Sequence, residues 1–200
     1  MNLNIQHLKK EYIFYIFLYT TLIFGFLLGE NSTGGAKYDS DIIFNAVESF
    51  SLNLSKTYKD FYKFNISHYP FYYIFLSLVL KLSGSIIFTK LVVLHLGLFL
   101  PLIFYRIIRI KYTPKNKYLI YLPGIFFLLP SYRSASIWGL NDNIALIFFS
   151  LSVLYYLKFE KEKIIKKKII YVLLNASMLA IAAYTRQYYV IFFPYLFISI

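Results

Sequence analysis

Apolar residues fall in long unbroken blocks along this chain, without the alternation of a half-buried strand or the narrow stripe of a surface helix. Tyr12 to Leu28 is the first block, and its length matches the ~17 residues that can just cross a bilayer. It follows Lys9 and Lys10, as a signal peptide's apolar region also would. The stretch after Leu28 offers no A-x-A cleavage site, so the segment is expected to stay attached as a first transmembrane helix. Glu30 to Tyr69 is the one long polar segment. Gly34 and Gly35 open it, and Ile42, Ile43, Ala46, Val47 and Phe50 then recur at helical spacing, which predicts a short interfacial helix. Pro70 to Leu82 is apolar but too short to span and reads as interfacial or re-entrant.

Ile86 to Ile108 is long enough to cross and runs into Arg106, Arg109, Lys111, Lys115 and Lys117. Tyr118 to Pro130, which contains Pro123 and Gly124, returns as a shorter piece. After a polar loop the run Asn143 to Leu157 crosses again and stops at the charge block Lys158 to Lys168. Ile169 to Tyr184 follows, then Arg186 and a final apolar run from Tyr188 to Ile200. The pattern predicts an all-α polytopic membrane helix bundle with about six transmembrane helices. Residues 1–200 form a single transmembrane domain in which 30–85 is an outer loop with juxtamembrane helices. The last run has no polar flank, so the chain is expected to be cut off within a helix. No internal repeat or transporter-like symmetry is visible.

Composition agrees, since a chain with 59% hydrophobic and 22% aromatic residues exceeds what one soluble core can hide, and lipid must cover the rest. Charge adds direction. There are 21 Lys and Arg against 9 Asp and Glu, an excess that suits either nucleic acid or cytoplasmic flanks of a membrane protein. Placement decides between them. With the N terminus inside, the inner segments collect 13 of the 21 basic residues and only Glu11, Glu160 and Glu162 of the acids. That satisfies the positive-inside rule only if Pro70 to Leu82 does not span. The expected partner is therefore the lipid bilayer and not nucleic acid. Cysteine is absent, which excludes disulfides, thiolate metal sites and a Cys nucleophile. No phosphate-binding loop, serine-hydrolase elbow, zinc-protease or dinucleotide motif occurs either.

The ionisable residues of the outer side are the candidates for chemistry: Asp39, Asp41, Glu48, His68, Arg133, Asp142 and Arg186, all near helix ends. Asp41, directly after the first span, is placed to accept a proton from a hydroxyl as a general base, or to cap a helix together with Asp39 and Ser40. His68 precedes a proline that opens an aromatic segment, where membrane anchoring is the alternative role. Arg133 and Arg186 are permanent cations near the outer ends, where snorkelling beside interfacial aromatics is the ordinary role.

Taken together, a first span, an outer loop with an early acid, a His-x-Pro-aromatic motif and a later hairpin of spans resemble the GT-C superfamily of membrane glycosyltransferases. The likeness is to its protein O-mannosyltransferases, lipid A aminoarabinose transferases and endoplasmic-reticulum alpha-1,2-glucosyltransferases, and it runs over nearly all 200 residues. The residues that carry it are Asp41-Ile42-Ile43-Phe44-Asn45, His68-Tyr69-Pro70, Thr185-Arg186-Gln187-Tyr188 and the loop-then-helix from Ser131 to Phe149 with Asp142. Ile42 stands where the glucosyltransferases have a second acid, and one of two prolines is missing after His68.

The resemblance implies an inverting transfer from a polyprenyl-phosphate-linked sugar. Asp41 would be the catalytic carboxylate, acting as base or metal-assisted activator. Asp39, His68, Arg133, Asp142, Arg186 and Gln187 would bind substrate, the two arginines by pairing with the leaving phosphate. It leaves open a divalent cofactor such as Mg²⁺ or Mn²⁺. The implied location is a bacterial inner membrane with the site facing the periplasm, or a lumenal face in the endoplasmic reticulum. A non-enzymatic membrane protein, such as a transporter or flippase piece, and an inactive transferase fragment remain the alternatives.

Overall fold

The computed structural model describes residues 5–64, 66, 68–112 and 117–194, and these are helical with no strand among them. Lys115 and the end of the Tyr188–Ile200 run lie outside the described residues. The α-helices are α1 (Ile5–Leu27), α2 (Ala36–Leu52), α3 (Leu54–Lys59), α4 (Phe71–Ser83), α5 (Ile86–Gly97), α6 (Phe99–Lys111), α7 (Pro130–Trp138), α8 (Asn141–Lys161) and α9 (Ile165–Thr185). Short 3₁₀ helices cover Phe61–Phe64, Lys117–Ile120, Leu122–Leu128 and Gln187–Phe192.

Among the described residues four stretches are long and apolar enough to cross a bilayer: Lys10–Leu27, Ile86–Lys111, Asn141–Lys161 and Ile165–Thr185. Four of the about six expected spans are therefore present by length, and the last expected run, Tyr188–Ile200, ends outside the described residues. Phe71–Ser83 and Tyr118–Leu128 are apolar but short. The second crossing is two helices, α5 and α6, meeting at Leu98. Pro101 explains the break: it has no N–H to offer the Gly97 carbonyl, and its ring crowds that same carbonyl.

Tyr118–Trp138 climbs beside α1 in the same direction. The Tyr15 hydroxyl donates to the Ile120 carbonyl, the Phe14 and Tyr121 rings meet edge-on at 5.1 Å, and farther along Arg133 bonds to Thr21. Gly124 allows the close approach, because a Cβ there would lie 2.7 Å from the Phe14 ring. The contacts of this stretch run from Phe14 to Gly25 of α1, roughly 17 Å at about 1.5 Å per residue.

The core gathers around α2 and α4. Ile43, Ala46, Val47 and Phe50 form the buried face of α2, and Tyr72, Tyr73, Leu76 and Leu80 that of α4. The Tyr72 hydroxyl donates to the Gly139 carbonyl at 2.7 Å, fixing α4 to the turn between α7 and α8. Gly139 has φ +71°, and a Cβ would come within 3.1 Å of Phe44, so glycine is required on both counts. α8 and α9 form an antiparallel hairpin in which Ala145, Ala182 and Ala183 are buried. Ser152 donates to Asn175 between the two helices, a polar contact of the kind that holds helices together in lipid.

Candidate functional site

The charged residues separate to the two ends of the bundle. One end holds Arg106, Arg109 and the α8–α9 turn, with its Lys158 to Lys168 block. The other holds Glu30, Asp39, Asp41, His68, Asp142 and Arg186.

At this second end Arg186 follows the last residue of α9, and Asp142 lies in the first turn of α8. Each charge complements the dipole of its own helix end. The Asn141 side chain holds the two ends together by donating to the Thr185 carbonyl at 3.2 Å. Arg186 Nη2 then reaches Asp142 Oδ2 at 2.5 Å, and Nη1 donates to His68 Nε2 at 2.8 Å. Guanidinium has no acceptor, so Nε2 of His68 must accept, and the proton of a neutral ring sits on Nδ1. Burial and the Arg186 charge both push the His68 pKa below its ordinary 6.5, which favours this neutral form.

His68 Nδ1 and Arg186 Nε are both buried and have no hydrogen-bond partner among the described residues. Leaving such a donor buried and unpaired costs about 1–3 kcal/mol. Two donors of this kind, on touching side chains, mark a place where an acceptor atom of a ligand would be stabilised. Both residues line a cavity of about 220 Å³, together with Asp39, Ile42, Ile43, Ile66, Tyr73, Leu140 and Asn141. The lining is half polar in kind: carboxylate and amide oxygens that accept, imidazole and guanidinium groups that donate, and an aromatic ring. Such a set suits a compact ligand rich in hydroxyl or phosphate oxygens.

Three of the residues singled out from sequence, His68, Asp142 and Arg186, therefore meet directly. The carboxylate facing their cavity is Asp39 and not Asp41. The two are separated by about 200° around a helix of 3.6 residues per turn. Asp41 is exposed, and its field acts on Lys90, whose Nζ sits 4.9 Å from the Phe44 ring and 5.0 Å from the Trp138 ring. Asp41, which the resemblance would make the catalytic carboxylate, stands outside the cavity that His68 and Arg186 line. Gln187 is exposed at the start of the 3₁₀ turn after Arg186, and Glu48 is exposed on α2.

Arg133 does not line this cavity either. Its Nε donates to Glu30 Oε1 at 2.7 Å, Nη1 to Thr21 Oγ1 and the Phe127 carbonyl at 3.2 and 3.1 Å, and Nη2 to the Thr21 carbonyl at 3.0 Å and to Glu30 Oε2. Those five bonds use all five of its N–H groups. No donor remains for a phosphate, so Arg133 is a structural clamp between α7 and the end of α1. Its partner Glu30 escaped the sequence reading because nothing local links residues 103 positions apart. Lys90 was also missed, although a lone cation inside an apolar run is a usable signal.

Among the described residues no three His, Asp or Glu side chains stand close enough to hold a metal ion. No family model, curated protein or solved structure matches this chain.

Proposed function

We propose that this chain is a membrane glycosyltransferase of the GT-C type, which moves a sugar from a polyprenyl-phosphate donor to an acceptor hydroxyl at the outer face of the membrane. The observation that carries this reading is Arg186: it is anchored by Asp142 and His68 yet keeps three N–H groups uncommitted beside a cavity with a carboxylate across it. The acceptor oxygen attacks the anomeric carbon while Asp39 takes its proton, and the bond to the phosphate oxygen breaks. The leaving phosphate keeps the electron pair, and the free Arg186 donors with the His68 Nδ1–H stabilise its charge. Asp142 holds the guanidinium in position. Asp39 here replaces Asp41, the acid that the family resemblance favoured.

The topology follows from charge. The basic end faces the cytoplasm under the positive-inside rule, and the Arg186 end faces the periplasm or lumen. Under this reading the chain makes five passages: the four long apolar stretches and Tyr118–Trp138, which runs beside α1. The transporter alternative calls for uncommitted polar groups at mid-membrane depth. The polar pairs there, Ser152 with Asn175 and Tyr19 with His95 at 2.8 Å, satisfy each other instead.

The test uses the purified full chain in bilayer discs with a panel of undecaprenyl-phosphate and dolichyl-phosphate hexoses, followed by release of polyprenyl phosphate. Arg186→Gln and Asp39→Asn should each slow release by roughly 100-fold or more. Wild-type rates in both variants would place the chemistry elsewhere.

A further inference from the structure

A second cavity system lies at the basic end, far from Arg186. Between α6 and α8 a groove of about 700 Å³ is lined by Leu102, Tyr105, Arg106, Arg109, Leu154 and Lys158, with Ile110 at its edge. Its three cations face no lining carboxylate among the described residues. Two helix C-termini end here, contributing about half a negative charge each. Three side-chain cations exceed that, and the groove is positive. Lys161 donates to the Ile110 carbonyl at the edge of the groove and adds its charge there.

Leu102 and Tyr105 also line a neighbouring cavity of about 430 Å³ between α1 and α6. This one is almost wholly apolar: Tyr12, Ile16, Leu98, Pro101, Ile120 and Phe127 line it, and Glu11 is its one acid among the described residues. It lies beneath the break at Leu98, where Pro101 separates α5 from α6. A greasy slot thus adjoins, across two shared side chains, a mouth with two arginines and a lysine. One molecule whose chemistry matches both halves is an anionic lipid.

We propose that this slot and mouth form a site for an anionic phospholipid of the cytoplasmic leaflet. Its acyl chain lies against Ile16, Leu98 and Leu102, and its phosphate sits among Arg106, Arg109 and Lys158. Arg fits phosphate oxygens in a forked geometry, and basic pockets between membrane helices recognise such headgroups. The site differs from the Arg186 cavity in location and chemistry and does not depend on transferase activity. Its effect is to brace α6 against α1 and α8, where Pro101 has weakened the helix.

The experiment is native mass spectrometry of the purified full chain in detergent, titrated with phosphatidylglycerol, phosphatidylcholine or inorganic phosphate. Phosphatidylglycerol should be retained about tenfold more tightly than phosphatidylcholine, and inorganic phosphate should show no saturable binding. Arg106→Gln with Arg109→Gln should weaken phosphatidylglycerol retention by roughly 10- to 30-fold. Lys163→Gln with Lys166→Gln removes the same charge outside the groove and should leave retention unchanged. Leu102→Trp, which fills the slot without touching charge, should also weaken it. Equal retention of the two lipids, equal losses from both charge pairs, or saturable binding of inorganic phosphate alone would each overturn the assignment. The lipid comparison on the unaltered chain stands even if a variant does not fold.

Discussion

Two arginines at the same end of the bundle face an acid each, and they do opposite things. Arg133 spends every N–H on Glu30, Thr21 and the Phe127 carbonyl, while Arg186 spends two and keeps three. The first pair is the more enclosed, with side chains 14% and 27% exposed against 22% and 39% for Arg186 and Asp142. A guanidinium with no donor left is an architectural element; one held at two points and free at three is a recognition element. Residue type and charge are the same, and the count of satisfied donors tells them apart.

The largest expected effect falls on the architectural pair. Arg133→Gln leaves the half-buried Glu30 carboxylate and the Thr21 and Phe127 carbonyls without their donors, which costs about 1–3 kcal/mol. Thermal unfolding in detergent should show a large drop, and Gly25→Ala should reproduce part of it. A Cβ at Gly25 would collide with Glu30 Oε2 and lie 2.8 Å from Arg133 Nη2, and neither atom is free to move. Arg186→Gln, by contrast, should shift unfolding by about 1 kcal/mol or less while abolishing ligand-dependent stabilisation. If both variants unfold alike, the distinction between the two arginines fails.

Acid separates the same two regions. The folded pKa of His68 is depressed below 6.5, so the unfolded chain binds more protons in that window. Its contribution is full above pH 6.5 and is lost as pH falls from there toward the lower folded value. Glu30 is lowered from 4.5 chiefly by its hydrogen bond from Arg133, so its contribution persists down to pH 4.5 and is lost only below it. Unfolding followed against pH should therefore weaken in two steps. His68→Gln should remove the upper step and Glu30→Gln the lower. A single step unaffected by His68→Gln would break this order.

Much of this was legible from the sequence because its causes are local. The apolar blocks became α1, α5–α6, α8 and α9, and the charge asymmetry became two distinct ends. Helix lengths were read short at Asn143–Leu157, since α8 extends over Asn141–Lys161 and carries polar residues at both termini. Tyr118–Pro130 reads as a short helix and is instead 3₁₀ over Lys117–Ile120 and Leu122–Leu128: Pro123 supplies no N–H, and Gly124 lies against Phe14, so packing on α1 sets the coil. The meeting of His68, Asp142 and Arg186 was anticipated in position but not in its bonding. The Glu30–Arg133 clamp joins segments that only the folded chain brings together.

The smallest effect is the sharpest test of how the site was read. Asp41 was chosen over Asp39 because it opens a motif-like Asp-x-x-Phe, yet helical geometry alone sets the two acids on different faces of α2. Asp39 lies with Ile42 and Ile43, three and four positions on, along the cavity; Asp41 lies toward Lys90. Since both are exposed, neither substitution should disturb folding by more than about 0.5 kcal/mol, and any difference between them reports on the cavity. In the polyprenyl-phosphate assay Asp41→Asn should change the rate by about twofold or less, against the roughly 100-fold expected of a lost general base for Asp39→Asn. The reverse result would return the role of base to Asp41. It would also require α2 to turn by about half a revolution when donor binds, which a disulfide tying α2 to α4 would block.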